Sequence, residues 1–153
     1  MRPSALLPRA LLGAAAITML CGCASVVDLG SGWVIEDPSS RCEELLAALP
    51  ITVSGELARE TTPTEFPAAA WGDPPVVLRC GVPRPSGLTP TSSLTAINGV
   101  NWLAEPLTNG VLFTSVPEDS ADPPLYVSVS VPSDYAPEGS LLVDLTPAIL
   151  SVQ

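Results

Sequence analysis

What this chain can fold into is limited first by the run that closes on Leu20-Cys21-Gly22-Cys23. Arg2 and Arg9 precede it with no acid among the first nine residues, and residues 10–20 form an uncharged apolar stretch of eleven. This is the order of an export signal: a basic start, an apolar middle and a small residue before the cut. Residues 10–27 stay uncharged for eighteen positions, just enough for the rival reading, a helix crossing roughly 30 Å of hydrocarbon. Gly22 followed by Cys23 decides between them, because lipoprotein signal peptidase cuts before a cysteine that carries diacylglycerol. The sequence therefore predicts a signal peptide at residues 1–22, a lipidated Cys23 with a tether over residues 23–37, and a single extracytoplasmic domain over residues 38–153. Both Arg2 and Arg9 then stay on the cytoplasmic side, as the positive-inside bias requires.

The address changes the cysteine arithmetic. Of four cysteines, Cys21 is discarded and Cys23 is acylated, which leaves Cys42 and Cys80 in a compartment where thiols oxidise. A bridge between them closes a loop of 38 residues and stabilises the fold by roughly 4 kcal/mol on the chain-entropy account. The competing reading, a redox-active pair, wants the two cysteines close together in sequence.

Cleavage also removes two of the six basic residues. The mature chain keeps Arg41, Arg59, Arg79 and Arg84, no Lys, and sixteen acids, so its formal charge is 4 − 16 = −12. Such a surface repels phosphate backbones and anionic head groups. Nucleic acid is excluded as a partner, and the domain is expected to stand off its own membrane, held there by the lipid anchor and not by its surface.

Along the chain, Gly30, Ser31 and Gly32 mark the tether, whose fifteen residues span about 20 Å as a coil. Trp33, Val34 and Ile35 form either a first strand or a contact with the bilayer interface. Ser40 with Glu43 makes a capping box, and Cys42, Leu45, Leu46 and Leu49 recur at helical spacing before Pro50, which predicts a helix of about ten residues. Ile51, Val53 and Leu57 alternate with polar residues as in one half-buried strand. Residues 61–73 read as Pro- and Ala-rich coil with at most a helical turn at residues 68–71. Strands follow at residues 76–80, 94–97, 100–103, 111–116, 125–131 and 141–145, with Asn98-Gly99 and Asn109-Gly110 as hairpin turns. Leu125, Val127, Val129 and Val131 alternate with Tyr126, Ser128 and Ser130, a pattern that belongs to antiparallel sheets. Thr146 and Pro147 open a last short helix through Leu150. The fold class predicted is α+β: a small antiparallel sheet with one or two short helices on one face and one disulfide. There is no internal repeat and no room for a second domain in about 115 folded residues.

The stretch AAAWGDPPVVLRCGVPRP at residues 68–85 resembles the signature of an actinobacterial family catalogued as domain of unknown function 3515. The resemblance extends to the Cys42-Glu43-Glu44-Leu45-Leu46 segment ending in Leu49-Pro50, to Asn98-Gly99-Val100-Asn101-Trp102-Leu103, and to Leu142-Val143-Asp144-Leu145. It covers most of the chain after Pro38. It implies an exported or membrane-anchored envelope protein, often encoded near D-alanine:D-alanine ligase, with no established activity and no functional residue to carry over. The acidic loop Glu118-Asp119-Ser120-Ala121-Asp122 is longer than the family pattern.

The residue inventory narrows the chemistry. The chain has no His, which removes Ser-His-Asp and Cys-His catalysis and imidazole metal sites, and the lack of Lys removes Ser-Lys dyads. No cofactor and no metal is expected: Glu118, Asp119 and Asp122 lack the alternating ligands and Gly of a calcium loop. A carboxylate pair flanking a sugar bond survives, with Trp71 beside Asp73 or Trp102 beside Glu105 as acid and stacking ring. The same residues offer a surface for glycan or stem-peptide binding. Arg79 and Arg84, on either side of Cys80-Gly81-Val82-Pro83, are candidates for a carboxylate ligand or for internal pairing. The function expected is a non-enzymatic envelope lipoprotein that binds a protein or wall component; the alternative is a carboxylate-based wall glycan hydrolase or glycan-binding module.

Overall fold

The computed structural model describes residues 25–31, 34–36, 40–118, 121 and 123–153. The signal peptide, Cys23, Trp33, Asp119 and Asp122 lie outside the described residues. Among the described residues, ten strands and two α-helices follow one another as β1 (Val27–Asp28), α1 (Ser40–Ala48), β2 (Thr52–Val53), β3 (Glu56–Arg59), β4 (Thr61–Thr62), β5 (Ala68–Trp71), β6 (Val76–Cys80), β7 (Thr95–Ile97), β8 (Val100–Leu107), β9 (Gly110–Val116), β10 (Val127–Pro132) and α2 (Leu142–Leu150). Eight of the strands form one antiparallel sheet in the order β2-β3-β5-β6-β10-β9-β8-β7, and β1 pairs in parallel with β4. The chain is α+β with one disulfide, as its patterning predicts.

Alternation along the strands creates two unlike faces. Val76, Leu78 and Cys80 of β6, Val127, Val129 and Val131 of β10, Phe113 of β9 and Trp102 of β8 point to a first face. That face is closed by Cys42 and Leu45 from α1 and by Leu142, Leu145, Ala148 and Ile149 from α2. Helix α1 keeps its predicted stripe, and the Cys42–Cys80 bridge fastens it to β6 with Cα atoms 5.6 Å apart. On the second face Arg79, Val77, Ser128, Thr114 and Leu103 are also buried, but beneath irregular chain. Val27 and Leu29 pack there on Ala70 and Val77, and the connection 81–94 buries Leu88 and brings Gly87 against Glu105.

Several local expectations are corrected. Residues 51–57 are not one strand: Ser54 (φ 49°) and Gly55 (φ 87°) adopt left-handed conformations and fold them into the β2–β3 hairpin. Val53 is buried by this turn, whereas Ile51 and Leu57 are exposed. The helical turn foreseen at residues 68–71 is strand β5, despite the helix propensity of alanine. Ala68 and Ala70 lie under β1 and Phe66, and a larger side chain there would push this second layer away. Residues 141–145 are not a strand but the start of α2, which begins at Leu142 and carries Pro147 in its interior. The Thr146 hydroxyl donates to the Leu142 carbonyl at 2.7 Å within that helix. Finally, the tether does not hang free over its whole length, since Val27–Leu29 is part of the packed structure.

Asn98-Gly99 forms its hairpin turn as read, with φ values of 48° and 96°. At the second Asn-Gly pair the turn is displaced by one residue. Thr108 and Asn109 are its two loop residues, and Gly110 already pairs with Leu107 as the first residue of β9. A Cβ on Gly110 would run into the Val131 carbonyl and the Pro132 backbone of β10, so only glycine fits this close approach.

Candidate functional site

Next to the edge strand β2, strands β3 and β5 carry a polar constellation centred on Arg59. The hairpin turn at Ser54-Gly55 sends β3 back so that Leu57 and Arg59 share the second face, and β5 ends in Gly72 (φ 72°) beside them. A cleft of about 430 Å³ opens there, lined by Ser25, Glu56, Leu57, Arg59, Gly72 and Asp73. The Arg59 guanidinium is the hub. Its Nη1 donates to the Gly72 carbonyl at 2.7 Å and lies 3.5 Å from Asp73 Oδ1. Its Nε donates to the Ser25 carbonyl at 3.0 Å, and its Nη2 donates to the carbonyl and hydroxyl of Ser25.

Tyr135, from the 3₁₀ turn Ser133–Tyr135, closes the other side. Its hydroxyl donates to the Pro74 carbonyl at 2.8 Å. A side chain on Gly72 would collide with that hydroxyl and press on Glu56, which is why the left-handed turn here is glycine. Desolvation by burial, and then the nearby Glu56 carboxylate, raise the Tyr135 hydroxyl above the ordinary tyrosine value. Chemically, the arrangement grips. Every nitrogen of Arg59 is committed to the chain itself, so the guanidinium acts as a clamp on Ser25 and Gly72.

The residues singled out from sequence fall in separate places. Trp71 is buried on the first face with its indole nitrogen donating to the Pro50 carbonyl at 3.0 Å, while Asp73 is exposed in the following turn and faces Arg59. Trp102 is fully buried against Phe113, edge to face with ring centroids 6.4 Å apart, whereas Glu105 three residues on points to the second face opposite Leu112. Neither tryptophan therefore presents a ring beside a carboxylate, because both rings fill the core under the helices. Arg79 is buried on the second face beside Leu29, Ile35, Phe66, Pro67 and Ala68, and burial holds its guanidinium below the ordinary value. Arg84 stands exposed in the next connection, outside that niche.

Cys42 and Cys80 are joined as read. Cys23 lies outside the described residues, as do Asp119 and Asp122 of the acidic loop. The residues that sequence reasoning missed are Glu56, Arg59 and Tyr135. Ser54-Gly55 was the available signal: taken as a hairpin turn, it aligns Leu57 and Arg59 on one face.

A family model described as protein of unknown function (DUF3515) matches residues 6–152. No curated protein and no solved structure matches the chain.

Proposed function

The chain belongs to the DUF3515 family, whose function is unknown, and on the strength of its own residues we propose that it is a lipid-anchored protein of the cell envelope acting outside the cytoplasm as a non-enzymatic binding or accessory module. The observation that carries this reading is the pairing of Cys42 with Cys80, a bridge that suits an oxidising compartment, in a chain whose start reads as a lipoprotein signal ending at Cys23. The membrane is reached through the lipid, and the partner is an envelope protein or a wall component. No helix among the described residues is long and apolar enough to cross a membrane.

The non-enzymatic part draws support from the separation of the candidate groups. The two pairs read from the sequence for glycan cleavage, Trp71 with Asp73 and Trp102 with Glu105, each need an accessible ring beside the acid, and both tryptophans are at most 1% exposed.

Metabolic labelling with a clickable fatty acid tests the anchor. The wild type takes up label, and Cys23→Ala loses it and remains an uncut precursor; label on the Cys23→Ala protein, or a cytosolic wild type with reduced Cys42 and Cys80, overturns the reading. Crosslinking in intact cells is expected to recover a specific envelope component. Clearing of a peptidoglycan zymogram by the wild type, abolished in Glu105→Gln, would instead make it a hydrolase.

A further inference from the structure

Cys80 anchors both walls of a second cleft. Cys42 of α1 reaches it through the disulfide, and the Pro67 carbonyl, in the connection between β4 and β5, accepts from the Cys80 N–H at 2.9 Å. Within that connection Ala68 N–H donates to the Phe66 carbonyl at 2.8 Å. The cleft itself, about 270 Å³, lies between α1 and residues 64–67. Because its walls share an anchor it is formed before anything enters it, and an occupant loses little by fitting it.

The lining is of two kinds. Leu46, Phe66 and Pro67 are half-buried and supply its apolar part, whereas Glu43 and Glu65 are exposed and come from opposite walls. Among the described residues no cation lines the cleft, and Arg41, on the same helix, directs its Nη2 to the Pro123 carbonyl at 2.9 Å. The place of Glu43 in the first turn of α1 suits the helix dipole, but Glu65 stands in irregular chain and has no such reason to be acidic. Two carboxylates facing each other across apolar side chains select an occupant: an aliphatic stem packs on Leu46, Phe66 and Pro67 while a positive head reaches the acids, the division that a lysine side chain makes within itself.

We infer that the cleft between α1 and residues 64–67 receives a lysine side chain presented by a partner protein, with Glu43 and Glu65 meeting its ammonium group. This deepens the binding-module reading proposed above and rests on it. The acidity of the whole chain adds a long-range attraction for a basic partner. A wall stem peptide brings free carboxylates of its own, which the two glutamates repel, so the complementary source is a protein segment with an uncharged backbone. Since Glu43 and Glu65 both face water, the contact is screened by salt and selects the partner more than it holds it.

The test titrates the full acylated protein, nitrogen-15 labelled in zwitterionic micelles, with three probes: acetyl-Ala-Lys-Ala-amide, its Gln counterpart, and a lysine-containing stem peptide with free carboxylates. The lysine peptide is expected to shift the amides of residues 43–46 and 64–66 saturably and to bind roughly fivefold more tightly than either other probe, a preference that high salt reduces. Glu43→Gln and Glu65→Gln should each weaken it about twofold and together about fivefold, with the urea midpoint unchanged because both side chains are exposed and glutamine is equally accepted in a first helical turn. Equal binding of the lysine and glutamine peptides, shifts confined to other parts of the domain, or tighter binding of the stem peptide overturns the lysine cleft. Recovery of an envelope protein by crosslinking would then leave the binding-module reading standing, whereas a cleared zymogram would overturn both.

Discussion

The two faces of the sheet are both buried, yet they are built differently. The first is apolar and continuous, with Trp71, Leu78, Trp102 and Val129 in one cluster with Leu145 and Ile149 of α2, and with α1 held by the disulfide. The second mixes Ala70 and Val77 with Arg79, Thr114 and Ser128, and its cover is irregular chain secured by hydrogen bonds and by the Arg59 clamp. The difference teaches where stability and adaptability lie. Removal of apolar area from water holds the helical side, whereas directional bonds hold the other side and can be released one at a time without dissolving the sheet.

The largest expected effect is on the first face. Trp102→Ala should cost about 3–5 kcal/mol in a urea melt, since the cavity left under α2 cannot collapse. Replacing both Cys42 and Cys80 by Ser should cost about 4 kcal/mol, read from the same melt with and without reductant, reduction having no effect on the variant. Arg59→Ala should lower global stability by only about 2 kcal/mol while the amides of Val27 and Leu29 exchange at least tenfold faster. Equal protection in wild type and variant would mean that β1 stays without its clamp, and the contrast between the faces would break.

Val77→Ala, on the second face, should cost roughly 1.5 kcal/mol, the area of two methyl groups. A loss as large as that of Trp102→Ala would show the faces to be energetically alike. The smallest effect is that of Tyr135→Phe, about 1 kcal/mol for the bond to the Pro74 carbonyl. Its pH dependence is the sharper readout. Because the folded hydroxyl ionises above the unfolded value of about 10, its contribution is complete below pH 10 and is lost as pH climbs through the folded value. The alkaline fall in stability should therefore be shallower in Tyr135→Phe.

Elements whose signals are local were legible. The period of α1, the alternation of β10, the apolar run of β6 and the left-handed turn at Asn98-Gly99 each follow from neighbours in the chain. The misread elements depend on something distant. Ala68–Trp71 is a strand because β6 and β3 pair with it and β1 lies on its alanines. Residues 142–145 turn helical because Leu142, Leu145 and Ile149 need one face toward the core, a spacing visible only when the helix is continued past Pro147. The candidate site was legible at its disulfide and not at its clamp: Arg59 gains its partners from Ser25, 34 positions earlier, and from Gly72, 13 positions later.

The amino-acid sequence alone determined the periods of α1, β6 and β10 and two of the hairpin reversals, which depend on near neighbours, and the acidity of the chain and the bridge between Cys42 and Cys80, which follow from residue counts. Tertiary structure alone decided that both tryptophans serve the core, that the alanine run is a strand, and that the chain is gripped at Ser25 instead of trailing from the domain. These outcomes arise from packing and hydrogen bonds between segments far apart in the chain, where the free energy of a residue is set by what is brought against it.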